Sequence, residues 1–445
     1  MCWICPERSG NNLPVTGFLN RRFFFVLLSS VTMSAPHTLL FAVEDYIARA
    51  GLPPKDAQDS FDAQSTIVGN LLFVSKIVFN PDGELFAVRG EELYRGPMPS
   101  NLSLDWFSSA KRVGKTDWDK FKFLLFDPQG NLYAVTKKGE LYEGPAPSNE
   151  GVPWIYGEAT KVGTSGWNRY DSLFFDSKGN LYGVTDDKLV MRSLTTNSAD
   201  WWPYSNTTIG KGGWRGLSHF MAIGPDDALW CVDSQNGNLY KGPIPTKEDT
   251  NYLDTAVKLG WGYNAYRLMS FTVDKIMGSV MSCEFLPESG KIVSLIPELV
   301  QTQTYVNPSS SPVTHMFTFT KTLLETSTFS QDHGFTVPSG VEMTFTAVVP
   351  FIVGPEEMLT LDRSALRTWH FTKENHIPVT FSSTTEVEVP AGIARCMIAA
   401  VNKGEIDVKY RMVIRTMFDY ETTLSGTWKG VNHYNLMLSQ ADYIP

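Results

Sequence analysis

Phe126-Asp127-Pro128-Gln129-Gly130-Asn131-Leu132-Tyr133-Ala134-Val135 decides the fold, because the chain writes this string four times with small variations. Phe79-Asn80-Pro81-Asp82-Gly83-Glu84-Leu85-Phe86-Ala87-Val88 precedes it. Phe175-Asp176-Ser177-Lys178-Gly179-Asn180-Leu181-Tyr182-Gly183-Val184 and Ile223-Gly224-Pro225-Asp226-Asp227-Ala228-Leu229-Trp230-Cys231-Val232 follow it. The starts are 47, 49 and 48 residues apart. Each copy reads as strand, Asp/Gly turn, strand, which is hairpin chemistry.

Other pieces recur with the same step. Leu93-Tyr94-Arg95-Gly96-Pro97, Leu141-Tyr142-Glu143-Gly144-Pro145 and Leu239-Tyr240-Lys241-Gly242-Pro243 supply a third strand and its exit turn. Val113-Gly114, Val162-Gly163, Ile209-Gly210 and Leu259-Gly260 come next, followed closely by Trp118, Trp167, Trp214 and Trp261. A repeat of this length with about four short strands is a propeller blade. The first and last copies are halves: Leu39-Leu40-Phe41-Ala42-Val43 matches Leu85-Phe86-Ala87-Val88, and Leu268-Met269-Ser270-Phe271 matches Phe123-Leu124-Leu125-Phe126. The count is then five, and the strand near 268–273 is expected to pair with the one near 39–43, which removes the exposed edges of an open array.

Over residues of about 36–275 the pattern resembles the tachylectin-type five-bladed propeller lectins. The Gly212-Gly213-Trp214 module, the Phe-Asp-Pro-x-Gly-Asn-Leu-Tyr-Ala-Val string and the Gly-Pro-x-Pro exit carry the resemblance. It implies binding of glycans bearing N-acetylglucosamine or N-acetylgalactosamine in pockets between neighbouring blades. Each pocket is expected around Trp118, Trp167, Trp214 or Trp261, with Trp106, Trp154 and Trp202 as a second aromatic set. Asp119, Asn168 and Arg215 are candidate polar contacts, since a sugar site needs an aromatic face and a few fixed polar groups. A Trp that recurs once per unit also reads as a packing residue, and both readings stay open. The first unit has Asn70-Leu71-Leu72 where others have Gly-Gly-Trp, and Phe61 where others have Trp; the fifth has altered spacing at Gly260-Trp261-Gly262-Tyr263. Three or four working pockets are expected, acting together through avidity.

After about residue 276 the repeat stops. Between 314 and 346 there are nine Thr, interleaved with Phe317, Phe319, Phe329, Phe335 and Phe345. Alternation with period two marks long strands with one apolar and one polar face. From Val341 to Phe371 the pattern is a hairpin. Val341, Met343, Phe345, Ala347 and Val349 form an apolar face that ends in a Phe351-Ile352-Val353 tip, with Leu359 and Leu361 on the return arm. Glu342, Thr344, Thr346, Thr360 and Asp362 take the polar parity, as candidates for a pore lumen. Each arm exceeds the roughly 9–11 residues of a tilted transmembrane strand, and such hairpins cross lipid only as a closed barrel of several copies. Arg363 and Arg367 fall on the supposed lipid side, so the lower return arm lies outside the bilayer or a bulge resets its register. An ordinary sandwich hairpin gives the same alternation.

The Thr-rich strand, the hairpin with its Val349-Pro350-Phe351-Ile352-Val353-Gly354-Pro355-Glu356-Glu357 tip, and Thr384-Thr385-Glu386-Val387-Glu388-Val389-Pro390 resemble the aerolysin/epsilon-toxin pore-forming family over about 295–435. The ending Gly426-Thr427-Trp428-Lys429-Gly430-Val431 fits that family's closing strand. The resemblance implies that the 335–371 hairpin refolds into a pore and that its apolar tip anchors it on the far side.

Composition narrows the alternatives. The 445 residues suit two domains, and 42% hydrophobic with 19% charged residues describes a globular chain. A net charge of −9 argues against nucleic-acid binding and against electrostatic attraction to anionic lipid. Cys2, Cys5, Cys231, Cys283 and Cys396 give neither a disulfide framework nor a complete zinc spacing, so no metal or cofactor is expected. Seven His residues show no metal-binding step, and no Gly-x-Ser-x-Gly or phosphate-cradling loop occurs; an enzyme is not expected. Arg21-Arg22, Phe23 to Leu28 and Ser34-Ala35 resemble a short signal peptide, while a start at Met33 would make residues 1–32 a dispensable extension and allow cytoplasmic storage. Asn101-Leu102-Ser103 and Asn206-Thr207-Thr208 are sequons.

The resulting expectation is an all-β chain: an extension over 1–35, a five-bladed β-propeller lectin over 36–275, and an elongated twisted antiparallel domain of the aerolysin type over 276–445. It is a secreted protein that moves to a target-cell membrane and forms a homo-oligomer there. The rival is a defence lectin whose C-terminal domain only mediates oligomerisation.

Overall fold

A computed structural model describes residues 37–444 apart from 152, 194–206, 250, 339 and 354–357. The expected extension, Trp202, Asn206 and the Gly354-Pro355-Glu356-Glu357 turn lie outside the described residues. The described chain is all-β, with only one-turn helices between strands.

The repeat strings fold as hairpins because their acidic residue wraps the turn. Asp127 Oδ1 accepts from the backbone N–H groups of Gln129 (3.0 Å) and Asn131 (2.7 Å), and Oδ2 accepts from the Asn131 amide (2.8 Å). Asp176 does the same for Lys178 and Asn180. The turn closes on a left-handed residue: Gly83, Gly130 and Gly179 have φ of 81°, 87° and 82°, and Asp227 takes the place at 56°. Glycine occupies such a position at no steric cost, and Asp is among the few others that tolerate it.

Five small antiparallel sheets result. The second holds Val74–Phe79, Glu84–Arg89, Glu92–Pro97 and Lys111–Gly114; the third Phe121–Phe126, Asn131–Thr136, Leu141–Pro145 and Thr160–Gly163. The fourth holds Ser172–Phe175, Asn180–Thr185, Lys188–Ser193 and Thr207–Gly210; the fifth Phe220–Ile223, Leu229–Val232, Leu239–Gly242 and Val257–Gly260. In the first sheet, Thr38–Glu44, Ile47–Gly51 and Thr66–Asn70 are joined by Leu268–Val273, with Thr38 opposite Val273 and Val43 opposite Leu268. The pairing expected from the two half-copies is therefore present. An additional short strand, Asn101–Asp105, runs parallel to Thr66–Asn70. One opening of about 270 Å³ is lined by equivalent strand ends of all five sheets, from Phe79-Asn80-Pro81 round to Phe271-Thr272-Val273.

The C-terminal sheet is built on another scale. Its strand order is Met277–Val306, Ala394–Thr416, Glu421–Tyr443, Val313–Gln331, Asn375–Val389, all antiparallel, with strands of 30, 23, 23, 19 and 15 residues. At about 3.3 Å per residue a 23-residue strand spans roughly 75 Å. Side chains alternate along it: Ile406, Val408, Tyr410, Met412 and Ile414 are all buried. The hairpin of Thr344–Val353 and Met358–His370 forms a separate two-stranded sheet.

Between Val273 and Met277 the chain passes from the small sheets to the long one, and Asp274 ties this passage. It is fully buried; its Oδ2 accepts from Thr416 Oγ1 (2.5 Å) and the Phe418 N–H (3.2 Å), while its own N–H donates to the His37 carbonyl (2.9 Å). Met417 and Phe418 pack against the core cluster of the first sheet. Asp274→Ala leaves two buried donors unsatisfied, a loss of about 1–3 kcal/mol. The urea midpoint of the intact chain should fall accordingly; an unchanged midpoint would show that this carboxylate does not hold the passage.

Candidate functional sites

Each recurrent Val-Gly, Ile-Gly or Leu-Gly pair is followed by an aromatic that folds back over the glycine. A Cβ at Gly114, Gly163 or Gly210 would overlap the indole of Trp118, Trp167 or Trp214, and one at Gly260 would sit 2.9 Å from the Tyr263 ring. The glycine is the space the ring needs. All four rings are at most 3% exposed. Facing them are the first residues of the one-turn helices: Phe61, Trp106, Trp154 and Tyr252. Trp106 Nε1 donates to the Pro97 carbonyl (2.7 Å), Trp154 Nε1 to that of Pro145 (2.8 Å), and the Tyr252 hydroxyl to that of Leu229 (2.5 Å).

The two sets meet between successive sheets. Trp118, after the last strand of the second sheet, lies 5.8 Å from Trp154 of the third. Trp214, after the fourth sheet, lies 5.4 Å from Tyr252 of the fifth. Tyr263, after the fifth, lies 6.3 Å from Phe61 of the first. Leu71 and Trp106 share the cluster between the first and second sheets. Trp167 is placed; its expected partner Trp202 lies outside the described residues.

Two of these junctions open as cavities. One of about 320 Å³ is lined by Trp118, Phe121, Trp154, Ile155 and the polar residues Lys115, Thr116, Asp117 and Glu150. Another of about 250 Å³ lies at the Phe61/Tyr263 junction, with Trp261 at its lining.

The structure puts the expected site residues in unlike surroundings. Trp261 does not take the buried slot of Trp118, Trp167 and Trp214. It is 71% exposed, and Tyr263 fills the slot, because the fifth copy is one residue shorter between glycine and aromatic. Two of the polar residues after the aromatics have partners within the protein. Asn168 donates to the Lys137 carbonyl (2.9 Å) and Arg215 Nε to Asp171 (2.9 Å). Asp119 is absent from the lining of the Trp118/Trp154 cavity, and its Oδ1 is buried without a partner. Sequence reasoning missed Tyr252 and Tyr263; the signal was the common step of about 48 residues applied across a Trp-to-Tyr change.

The hairpin places its apolar face on the long sheet. Met343, Phe345, Ala347, Ile352, Trp369 and Phe371 are buried in one cluster with Phe285, Tyr410, Met412 and Trp428. Trp369 packs edge-on to Trp428 (5.9 Å) and Phe285 (6.2 Å), and Phe329 to Phe345 (5.3 Å). Glu342, Thr344 and Thr346 are exposed, as the polar parity predicts, and Thr360 is half-buried. Glu342 pairs with Lys373.

A single parity does not run the whole length. Ala347 pairs with Arg367 but Val349 with Asp362, so Val348 and residues 363–366 are unmatched. Beyond this bulge Pro350 and Ile352 are buried, while Val349, Phe351, Leu359 and Leu361 are half-buried. Val341 is exposed. The apolar tip is thus covered, not free. The side chains of Val353 and Asp362 lie outside what is described.

A polar tie crosses from the hairpin tip to the sheet, besides the His370–Asn375 hydrogen bonds at its base. The Ile352 N–H donates to Asn432 Oδ1 (3.2 Å), Asn432 Nδ2 donates to Glu325 Oε1 (3.2 Å), and the His433 N–H donates to the same oxygen (2.5 Å). Burial raises the Glu325 carboxyl above its ordinary value, against the pull of these donors and of Arg367.

A family model described as Tachylectin matches residues 42–268. Among solved structures, the chain is similar to a symmetrical protein studied for its de novo evolutionary emergence (30% identity, 52% of this chain, 98% of that one, TM-score 0.48). It is also similar to lamprey immune protein (14%, 71% and 87%, TM-score 0.31) and to an aerolysin-like protein of Bombina maxima (12%, 36% and 97%, TM-score 0.25).

Two outcomes test the geometry. Trp118→Ala empties a closed slot and should lower stability by about 3–5 kcal/mol, whereas Trp261→Ala should change it by less than about 0.5 kcal/mol; equal effects in urea unfolding would refute the assignment of slot and rim. For Glu325, a folded-state value raised above the unfolded one means that its contribution to stability is present at low pH and is lost as pH rises through the folded-state value. Glu325→Gln, always neutral, should gain stability relative to the parent from the ordinary glutamate value of 4.5 upward. Parallel urea midpoints for the two proteins from there to neutrality would contradict this.

Proposed function

Because the chain belongs to the Tachylectin family, we propose that its five small sheets are the blades of a five-bladed propeller whose inter-blade cavities bind glycans ending in N-acetylglucosamine or N-acetylgalactosamine, and that the part after residue 276 is an aerolysin-like module that perforates the membrane bearing them. The cyclic placement of the aromatic sets supports the first half: the last aromatic, Tyr263, meets the first, Phe61, as Trp118 meets Trp154. In the Trp118/Trp154 cavity the ring of a sugar has indole faces and four polar side chains within reach. Cavities of this kind on one rigid body bind dense glycans through avidity.

The second half rests on the hairpin. Its apolar face is covered by its own sheet, and its other face carries Glu342, Thr344 and Thr346 in solvent. An element with one apolar and one polar side exchanges one apolar environment for another when it moves from sheet to lipid. In lipid its outer backbone groups need neighbours, so copies must close into a barrel. The sequence of events is capture on glycans outside the cell, side-by-side association of the long sheets, release of the 335–371 hairpins, and joint insertion with Thr and Ser facing the lumen. No covalent bond is made or broken in it, so this sequence of events calls for no catalytic residue.

The decisive experiment ties the hairpin down. A Cβ at Gly404 would lie 2.5 Å from Ile352 Cδ1, so Ile352→Cys with Gly404→Cys places two thiols across the contact. Under oxidising conditions this variant should bind N-acetylglucosamine beads but release no dye from liposomes carrying the same sugar, and reduction should restore release. Dye release from the oxidised protein would remove this hairpin from the pore. A reduced or unmodified chain that binds without releasing dye would favour the oligomerising lectin.

A further inference from the structure

The cavity between the fifth sheet and the first differs in charge from the one between the second and third, although the two are built alike. In the Trp118/Trp154 cavity, Gly114 is followed by Lys115, and Trp154 by Ile155. At the equivalent places of the other cavity, Gly260 is followed by Trp261, and Phe61 by Asp62. A cation has become an indole, and an apolar side chain has become a carboxylate; Phe107 and Leu253 hold the latter place in the second and fifth sheets. Asp59 is a second carboxylate in this lining, which contains no Lys or Arg.

The carboxylates are only weakly neutralised. Glu150 in the first cavity is held by Arg112 (2.6 Å) and Lys115 (3.5 Å). Asp62 has a hydrogen bond from the Tyr266 hydroxyl, and Arg49 reaches it only at 4.0 Å. Asp59 accepts from the Lys55 N–H (3.0 Å) and the Gln64 amide (3.1 Å), with no ion pair among the described residues. Those donors, aided by the nearby Lys55 charge, hold Asp59 below the usual carboxylate range. The Tyr263 hydroxyl, in a ring that lines this cavity, is buried with no hydrogen-bond partner. A concave site with exposed indole, phenol rings and two carboxylates is chemistry for a cation that carries an apolar face.

We propose that this cavity binds a hexosamine whose amine is free and protonated, the ring lying on Trp261 and the ammonium meeting Asp62 and Asp59. The inference rests on the reading of the inter-sheet cavities as sugar sites and assigns one of them a different sugar. An acetylated amine is neutral and offers these carboxylates only an amide N–H, whereas an ammonium adds the attraction of opposite charges to its hydrogen bond.

The test is titration calorimetry on the intact chain at neutral pH with two probes, the tetramer of β-1,4-linked glucosamine and the corresponding tetramer of N-acetylglucosamine. The parent should bind both. In Asp62→Asn, and separately in Trp261→Lys, the ratio of glucosamine to N-acetylglucosamine affinity should fall about tenfold, the loss of one charge-assisted contact; Trp261 is exposed, so its variant reports even if Asp62→Asn disturbs the Tyr266 contact. A parent that binds only the acetylated tetramer, or variants with an unchanged ratio, would overturn this inference and leave the lectin reading standing. Binding of neither tetramer would overturn both.

Discussion

Water cannot cover the apolar side of the 343–371 hairpin, and the rest of the C-terminal half is arranged around that fact. Phe345, Trp369 and Phe371 lie on Phe285, Phe329, Tyr410 and Trp428 in a cluster of tilted and edge-on rings. Such pairs add about 0.5–1.5 kcal/mol each beyond the area they bury. The contact is therefore strong, yet it is made almost wholly of side chains. The hairpin adds no strand to the long sheet, and the hydrogen bonds between them include Ile352–Asn432 near the tip and His370–Asn375 at the base. An element held by apolar contact, not by a backbone ladder, is one that another apolar environment is able to take over.

The five small sheets solve the opposite problem. They stay put because neighbouring sheets share aromatic pairs, and each pair depends on a glycine that clears room for a ring. Pairing Thr38–Glu44 with Leu268–Val273 joins segments more than 200 residues apart in one sheet. Rigid junctions of this kind hold cavities at fixed spacings, which is what multivalent binding needs. The cavities also diverge. Placing Trp261 where the other cavity has a lysine, and Asp62 where it has an isoleucine, makes the lining more acidic without disturbing the frame, since both positions lie beside the buried rings, not beneath them.

Much of this was legible in the sequence, where the governing physics is local. The complementary half-copies are legible by likeness to the whole ones, though their ladder joins residues more than 200 apart; the Asp/Gly turns, at a step of about 48 residues, translate into hydrogen bonds between near neighbours. So does the alternation over Thr344–Ala347. What could not be read depended on insertions of one or a few residues. The missing residue between Gly260 and Tyr263 moves the buried slot from a Trp to a Tyr, and residue type alone pointed to Trp261. The unmatched Val348 and 363–366 shift the hairpin register, so the parity rule holds on one side of the bulge and fails on the other. Arg363 and Arg367, which sat awkwardly on an apolar parity, flank this bulge.

A long sheet with two edges has to avoid pairing with copies of itself. Its edge strand Met277–Val306 carries exposed Met281, Val293, Ile296 and Leu299, a dangerous combination on a regular edge. This edge is not regular. Five register shifts interrupt its ladder with Ala394–Thr416, and Pro287 and Pro297 remove donors from it. The opposite edge, Asn375–Val389, is straighter and is faced with Thr and Ser, including the Thr322–Thr380 hydroxyl pair at 2.9 Å. One edge is apolar and irregular, the other regular and polar, so neither is a good template for a copy of itself.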